Sequence, residues 1–241
     1  MKRALWLLLF LVGCEGKREA PKPLNVSLPN ASPVAATPTP MLFADIYRRR
    51  TVPRGTETNV DRVETELAKH PDNPQANKAV GLAYYAAGGY EAAIKKLTGL
   101  TDPEAQLYLG LAHLGLGNYP EAESALKKAP GPVAALELGN LYFRALQQDT
   151  QAEKCFVAAQ QGDMAGEALL ALGLLKASQG KTLEAQKNLL AASQKLPAGK
   201  ARAAAFAALG RLESDPAKAR AWYDKTRQDD PENPWLKKLL K

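Results

Sequence analysis

The chain has few of the residues that most chemistry requires. Of 241 residues only two are histidine and two are cysteine, and aromatic residues make up 7%. The histidines, His70 and His113, stand 43 positions apart, so no pair has the spacing of a metal site. No Ser-His-Asp or Cys-His set can be assembled, and the glycines are spread out instead of clustered in a phosphate-cradling loop. No catalytic role, metal, cofactor or small-molecule substrate is therefore expected. Cys14 and Cys155 sit in unlike surroundings and do not read as a disulfide. Cys155, inside Glu153-Lys154-Cys155-Phe156-Val157, reads as a small core side chain. The chain also lacks charge of one dominant sign. The net charge is +7, from 32 basic and 25 acidic residues interleaved along the sequence, which reads as solvated surface rather than a nucleic-acid face.

Long apolar runs are missing too. The longest, Ala4 to Val12, has nine residues, well short of the roughly 20 that span a bilayer. It follows Met1-Lys2-Arg3, and a basic start before a short apolar run has the form of a secretory signal. It ends Leu11-Val12-Gly13-Cys14, which resembles the lipobox of bacterial lipoproteins at all four positions. The resemblance implies cleavage before Cys14, lipid attachment at Cys14 and multi-chain anchoring to a membrane. Loss of Lys2 and Arg3 leaves about +5 on the mature chain. Glu15, in place of an Asp after the cysteine, leans the assignment toward the periplasmic face of the outer membrane.

Three segments follow from composition: a signal peptide over 1–13, a lipidated cysteine and linker over 14–58, and a repeat domain over 59–241. Residues 15–40 hold six prolines among Ser, Thr, Asn and Ala, which suits an extended tether reaching on the order of 80 Å. Met41-Leu42-Phe43-Ala44-Asp45-Ile46-Tyr47 interrupts it and is followed by Arg48-Arg49-Arg50. This stretch reads either as a segment that packs on the chain's own repeats or as one that docks on a partner or anionic surface.

What the sequence does have is a repeat. Aliphatic-Gly pairs recur at Val80-Gly81, Leu109-Gly110, Leu138-Gly139, Leu172-Gly173 and Leu209-Gly210, with glycine spacings of 29, 29, 34 and 37. An alanine stands five residues before each: Ala76, Ala105, Ala134, Ala168 and Ala205. Glycine inside a helix costs about 1 kcal/mol relative to alanine, so a recurrent one implies close approach of a paired helix. The second helices carry Ala93 and Leu97, Ala122 and Leu126, Ala185 and Leu189, then Ala219 and Tyr223, each pair one turn apart on one face. Prolines 74, 103 and 132 mark helix starts.

On these residues the chain resembles the tetratricopeptide repeat, over roughly 60–231. The first repeat fits at Val80-Gly81, Tyr84, Ala93, Leu97 and Pro103, and the fourth at Leu169, Leu172-Gly173, Ala185, Leu189, Ala192 and Pro197. The first two repeats are about five residues short, Asn77 and Gln106 replace the large first residue, and His113 stands where the pattern has Tyr. The resemblance implies an all-α, right-handed superhelical solenoid of about five helix pairs, with capping helices near Val60–Leu67 and Trp235–Leu240.

It also implies that the first helix of each pair lines a concave face. The positions so placed include Lys78, Leu82 and Tyr85; Leu107, Leu111 and Leu114; Leu136, Asn140 and Phe143; and Leu170 and Leu174. They are expected to form an apolar groove for an amphipathic or extended segment of an envelope protein. The alternative is that facing helices or residues 41–47 cover the leucines. Lys78, Asn140 and Arg144 are too dispersed to hold a terminal carboxylate. A lipid anchor joined to such repeats is similar to the pilotin-type lipoproteins, and implies an adaptor that helps assemble or localise an envelope complex. Two other readings stay open: an envelope organiser touching peptidoglycan or lipopolysaccharide through Arg48–Arg50, and a regulatory subunit of a wall-modifying enzyme.

Overall fold

The computed structural model describes residues 60–239, and these contain twelve α-helices, one 3₁₀ turn and no strand. The signal peptide, Cys14, the tether and residues 41–50 lie outside the described residues. A leading helix, α1 (Val60–Lys69), packs on α2. Five helix pairs follow: α2 (Pro74–Ala87) with α3 (Tyr90–Leu97), α4 (Pro103–Leu116) with α5 (Tyr119–Lys128), and α6 (Pro132–Arg144) with α7 (Asp149–Ala158). After the 3₁₀ turn Gly162–Met164 come α8 (Ala165–Ser178) with α9 (Thr182–Lys195), then α10 (Lys200–Leu212) with α11 (Pro216–Asp229). A short α12 (Pro234–Leu239) ends the described chain. Each helix packs on its neighbour in sequence, which makes a right-handed superhelical solenoid.

The glycine in each first helix is where the paired helices meet. A methyl group on Gly81 would lie 2.6 Å from Leu97, on Gly110 2.6 Å from Leu126, and on Gly139 2.5 Å from Phe156. The same holds for Gly173 against Leu189 at 2.6 Å and Gly210 against Tyr223 at 2.7 Å. The close approach that the repeated glycines imply is therefore present in all five pairs. The large partner in the third pair is Phe156, four residues after Ala152. All five partners are buried, as are the alanines preceding them by four.

Helix ends follow from local chemistry. Asn73, Asp102 and Asp215 turn their side-chain oxygens onto the first amides of α2, α4 and α11, and each is followed by proline. Gly88 and Gly117 close α2 and α4 at φ 83° and 76°, a left-handed conformation that glycine adopts without penalty. The shortened early repeats give short second helices, eight residues in α3 and ten in α5, against fourteen in α9. One continuous core runs from Leu126 to Trp235, and a second, containing Tyr85, Leu97 and Tyr108, lies under the first two pairs.

Candidate functional site

The first helices α2, α4, α6, α8 and α10 carry the residues expected on the concave face. The structure divides these residues into two sets. Leu111, Leu136, Leu170 and Leu174 are buried within the core clusters, not displayed as an open stripe. The reason is direct contact between successive first helices, α2 with α4, α6 with α8 and α8 with α10, so side chains at these register positions are taken up by the next repeat. Tyr85 is also buried, its ring 5.2 Å from Tyr108 at 68° and 5.7 Å from Tyr90. Leu82, Leu107, Leu114 and Phe143 stay half-buried, packed against the edges of the core clusters.

Lys78 is committed locally. Its ammonium lies 3.3 Å from Asp102 and 3.1 Å from Glu104, joining α2 to the start of α4. Hydrogen bonding to Glu104, with Asp102 adding to it, holds its pKa above the ordinary lysine value.

A polar group at the centre of the molecule was only half legible. Asn140 has the groove register in the sequence and Arg144 enters there only as a carboxylate-holding candidate, but Glu137 joins them on α6. The spacings of three and four put all three on one side of the helix. Glu137 and Asn140 are each only 7% exposed. Among the described residues Oε1 of Glu137 and both amide atoms of Asn140, all shielded from solvent, have no hydrogen-bond partner. Burial pushes the Glu137 carboxyl up to about 7, against the opposing charge of Arg144 and the adjacent Asn140 amide. Burial likewise draws the Arg144 guanidinium down to about 10, with Glu137 opposing. The sequence signal for Glu137 was a lone acid inside Ala134-Ala135-Leu136-Glu137-Leu138-Gly139, an otherwise apolar stretch. Glu167 of α8 is buried as well, at the register position six before Gly173.

The remaining polar contacts brace helices rather than form a site. Lys176 reaches Glu153 at 2.6 Å and Glu184 at 3.4 Å, tying α8 to α7 and α9. Arg202 grips Asp229 through two bonds of 2.6 and 2.7 Å, tying α10 to α11. Tyr142 donates to Glu123, which also pairs with Lys127. Cys155 is half-buried on α7, and burial pushes its thiol pKa up. His113 is half-buried near the end of α4, and burial pulls its pKa down. Among the described residues no group of three His, Cys, Asp or Glu is placed to hold a metal, and no helix is long and apolar enough to cross a membrane.

Consecutive antiparallel helix pairs with a glycine at each crossing define the architecture. A chain of the Cut9–Hcn1 hetero-tetramer of the APC/C superposes on it with a TM-score of 0.62 at 15% identity, over 83% of this chain. The fold is that of a tetratricopeptide-repeat solenoid. This solenoid spans 46% of that chain, less than half its length. The C-terminal part of a tetratricopeptide-repeat protein from Cytophaga hutchinsonii matches over 83% of this chain and 99% of its own, at 15% identity and a TM-score of 0.42. No protein-family model and no curated protein matches the sequence.

Proposed function

We propose that the chain is a membrane-anchored adaptor of the bacterial cell envelope that binds a protein segment on the inner face of its solenoid. The observation that carries this reading is the inner face itself. Leu82, Leu107, Leu114 and Phe143 stay half-buried on the first helices, where the expected groove register places them. Apolar surface at these register positions suits a segment that offers apolar side chains. The likeness to a chain of a multi-subunit assembly favours a role in protein association over chemistry. Anchoring is read from Leu11-Val12-Gly13-Cys14. The client is then an envelope protein, and the setting is the periplasmic face of the outer membrane. Assistance in assembling or localising an envelope complex, as in pilotin-type lipoproteins, is the finer form of this reading.

The test has two arms in the native host. Cys14→Ser in the full chain is expected to move it from the membrane fraction to the soluble fraction. The full chain, solubilised in detergent, is expected to retain one envelope protein in near-equal amount. Membrane retention of Cys14→Ser, or recovery of the chain alone at every detergent and salt condition, contradicts the reading.

A further inference from the structure

Charge is unevenly placed along the solenoid. Residues 60–179 carry ten basic and fourteen acidic side chains, whereas residues 180–241 carry thirteen and seven. The chain is thus mildly acidic up to the end of α8 and basic from α9 onward. Much of the acid in the basic stretch is already engaged. Glu184 lies 3.4 Å from Lys176, Asp224 lies 3.2 Å from Arg227, and Asp229 holds Arg202. Glu213 and Asp215 accept from backbone amides around the start of α11. Lys187 of α9 and Lys218 of α11 are exposed and meet no carboxylate among the described residues. Lys225 of α11 is exposed as well, its ammonium 4.3 Å from the centre of the Trp222 ring.

These lysines stand on the outer side of the second helices. Leu189 of α9 and Tyr223 of α11 meet the glycine crossings, and Ala185 and Ala219, four residues earlier, are buried with them. Lys187 lies midway between Ala185 and Leu189 in sequence, which puts it directly across α9 from both. Lys218 and Lys225 are two turns apart on one side of α11. Leu183, one turn before Lys187 on the same side of α9, is 82% exposed. We propose that the outer side of α9 and α11 docks on an anionic phospholipid surface. Headgroup phosphates answer the unmatched lysines, and Leu183 enters the boundary between headgroups and acyl chains. A purely acidic peptide answers the lysines alone; a bilayer answers both. The anchor proposed at Cys14 would hold the solenoid beside a leaflet and so raise the local concentration of headgroups. The inference goes beyond the adaptor reading, because it uses the second helices and leaves the first helices to a client.

The test uses the full chain carrying Cys14→Ser, so that no attached lipid contributes. Its cosedimentation is measured with phosphatidylcholine vesicles, plain or with about one part in three phosphatidylglycerol. Binding is expected to the mixed vesicles and not to the plain ones, and to weaken as salt rises. Adding Lys187→Glu, Lys218→Glu and Lys225→Glu together is expected to lower the affinity for mixed vesicles at least about tenfold. The charge-matched control is Lys95→Glu, Lys128→Glu and Lys154→Glu, exposed positions on α3, α5 and α7, and it is expected to lower the affinity less than about threefold. Leu183→Ser should weaken vesicle binding without changing the charge. Every variant alters exposed side chains and must keep the parent's helical circular dichroism. Equal loss in the two triple variants would reduce the effect to net charge and overturn the proposal. Equal binding to both kinds of vesicle, or to neither, would overturn it too. Preference for soluble polyglutamate over vesicles, insensitive to Leu183→Ser, would overturn it in favour of an acidic protein partner. None of these outcomes involves a client, so failure here leaves the adaptor reading standing.

Discussion

At the scale of single residues, five glycines set how closely the helix pairs approach. In the fourth pair an added methyl at Gly173 would sit 2.6 Å from Leu189 Cγ and 3.2 Å from the Leu189 backbone nitrogen. A flexible side chain can rotate away, but a backbone atom yields only if α9 moves. Overpacking of this kind costs about 1–3 kcal/mol, while alanine gains about 1 kcal/mol of helix propensity over glycine. Gly173→Ala is therefore expected to lose about 1–2 kcal/mol in urea unfolding despite the better propensity. A gain in stability would mean that α8 and α9 are not held together at this crossing. Glu137 gives a second prediction. Its carboxyl, ordinarily near 4.5, is raised to about 7 by burial, so the folded chain holds that proton where the unfolded chain has released it. Stability then falls as pH rises from about 4.5 to about 7, by up to about 3 kcal/mol from this group. His113 acts with the opposite sign, because its lowered pKa favours the neutral form in the fold and adds stability as pH rises. The informative quantity is the difference between two pH profiles. Between pH 5 and pH 8 the parent should lose more stability than Glu137→Gln. Parallel profiles would show that the Glu137 carboxyl is ionised in the fold from the start.

At the scale of elements, the helix ends carry the local code. Asp215 accepts from the amides of Ala217 at 2.8 Å and Lys218 at 3.3 Å, so Asp215→Ala should cost about 1 kcal/mol by thermal melting. A loss within error would show that water replaces the cap. Gln147, between α6 and α7, has φ 54° without being glycine. Gln147→Gly relieves that conformation and is expected to be neutral or stabilising by up to about 1 kcal/mol, where a glycine substitution elsewhere in a helix destabilises. The elements were legible because glycine, alanine and proline fix crossings and starts whatever lies around them. The leucines were not legible in the same way. Leu111, Leu136, Leu170 and Leu174 have the register of a groove, but whether they face solvent depends on how tightly successive first helices pack, and that is a property of neighbouring repeats. The direct contacts α6–α8 and α8–α10 take Leu136, Leu170 and Leu174 into the core. Glu167→Gln or any change at Leu174 thus tests the core before it tests binding. Glu137 went unnoticed for the related reason that one acid among apolar neighbours looks like an exposed position until the helix is placed.

At the scale of the whole molecule, contacts run from each helix to the next, and α12 closes the far end with Trp235 in the main core. Two surfaces of different character result. The first helices carry half-buried Leu107, Leu114 and Phe143 and buried Glu137 and Asn140, while isolated apolar side chains stand exposed on second helices, Val157 on α7 and Leu190 on α9. Single exposed apolar residues are ordinary on any protein. The half-buried apolar side chains on the first helices are what the adaptor reading depends on. The measurement that tests this most directly is recovery of the client from solubilised envelope by three full-length chains: the parent, Leu107→Glu with Phe143→Glu, and Val157→Glu with Leu190→Glu. All three must first show the same helical circular dichroism. The account predicts that the inner-face pair loses the client and the second-helix pair keeps it. Retention by the inner-face pair with loss by the second-helix pair would contradict the account and move binding to the outer side of the solenoid.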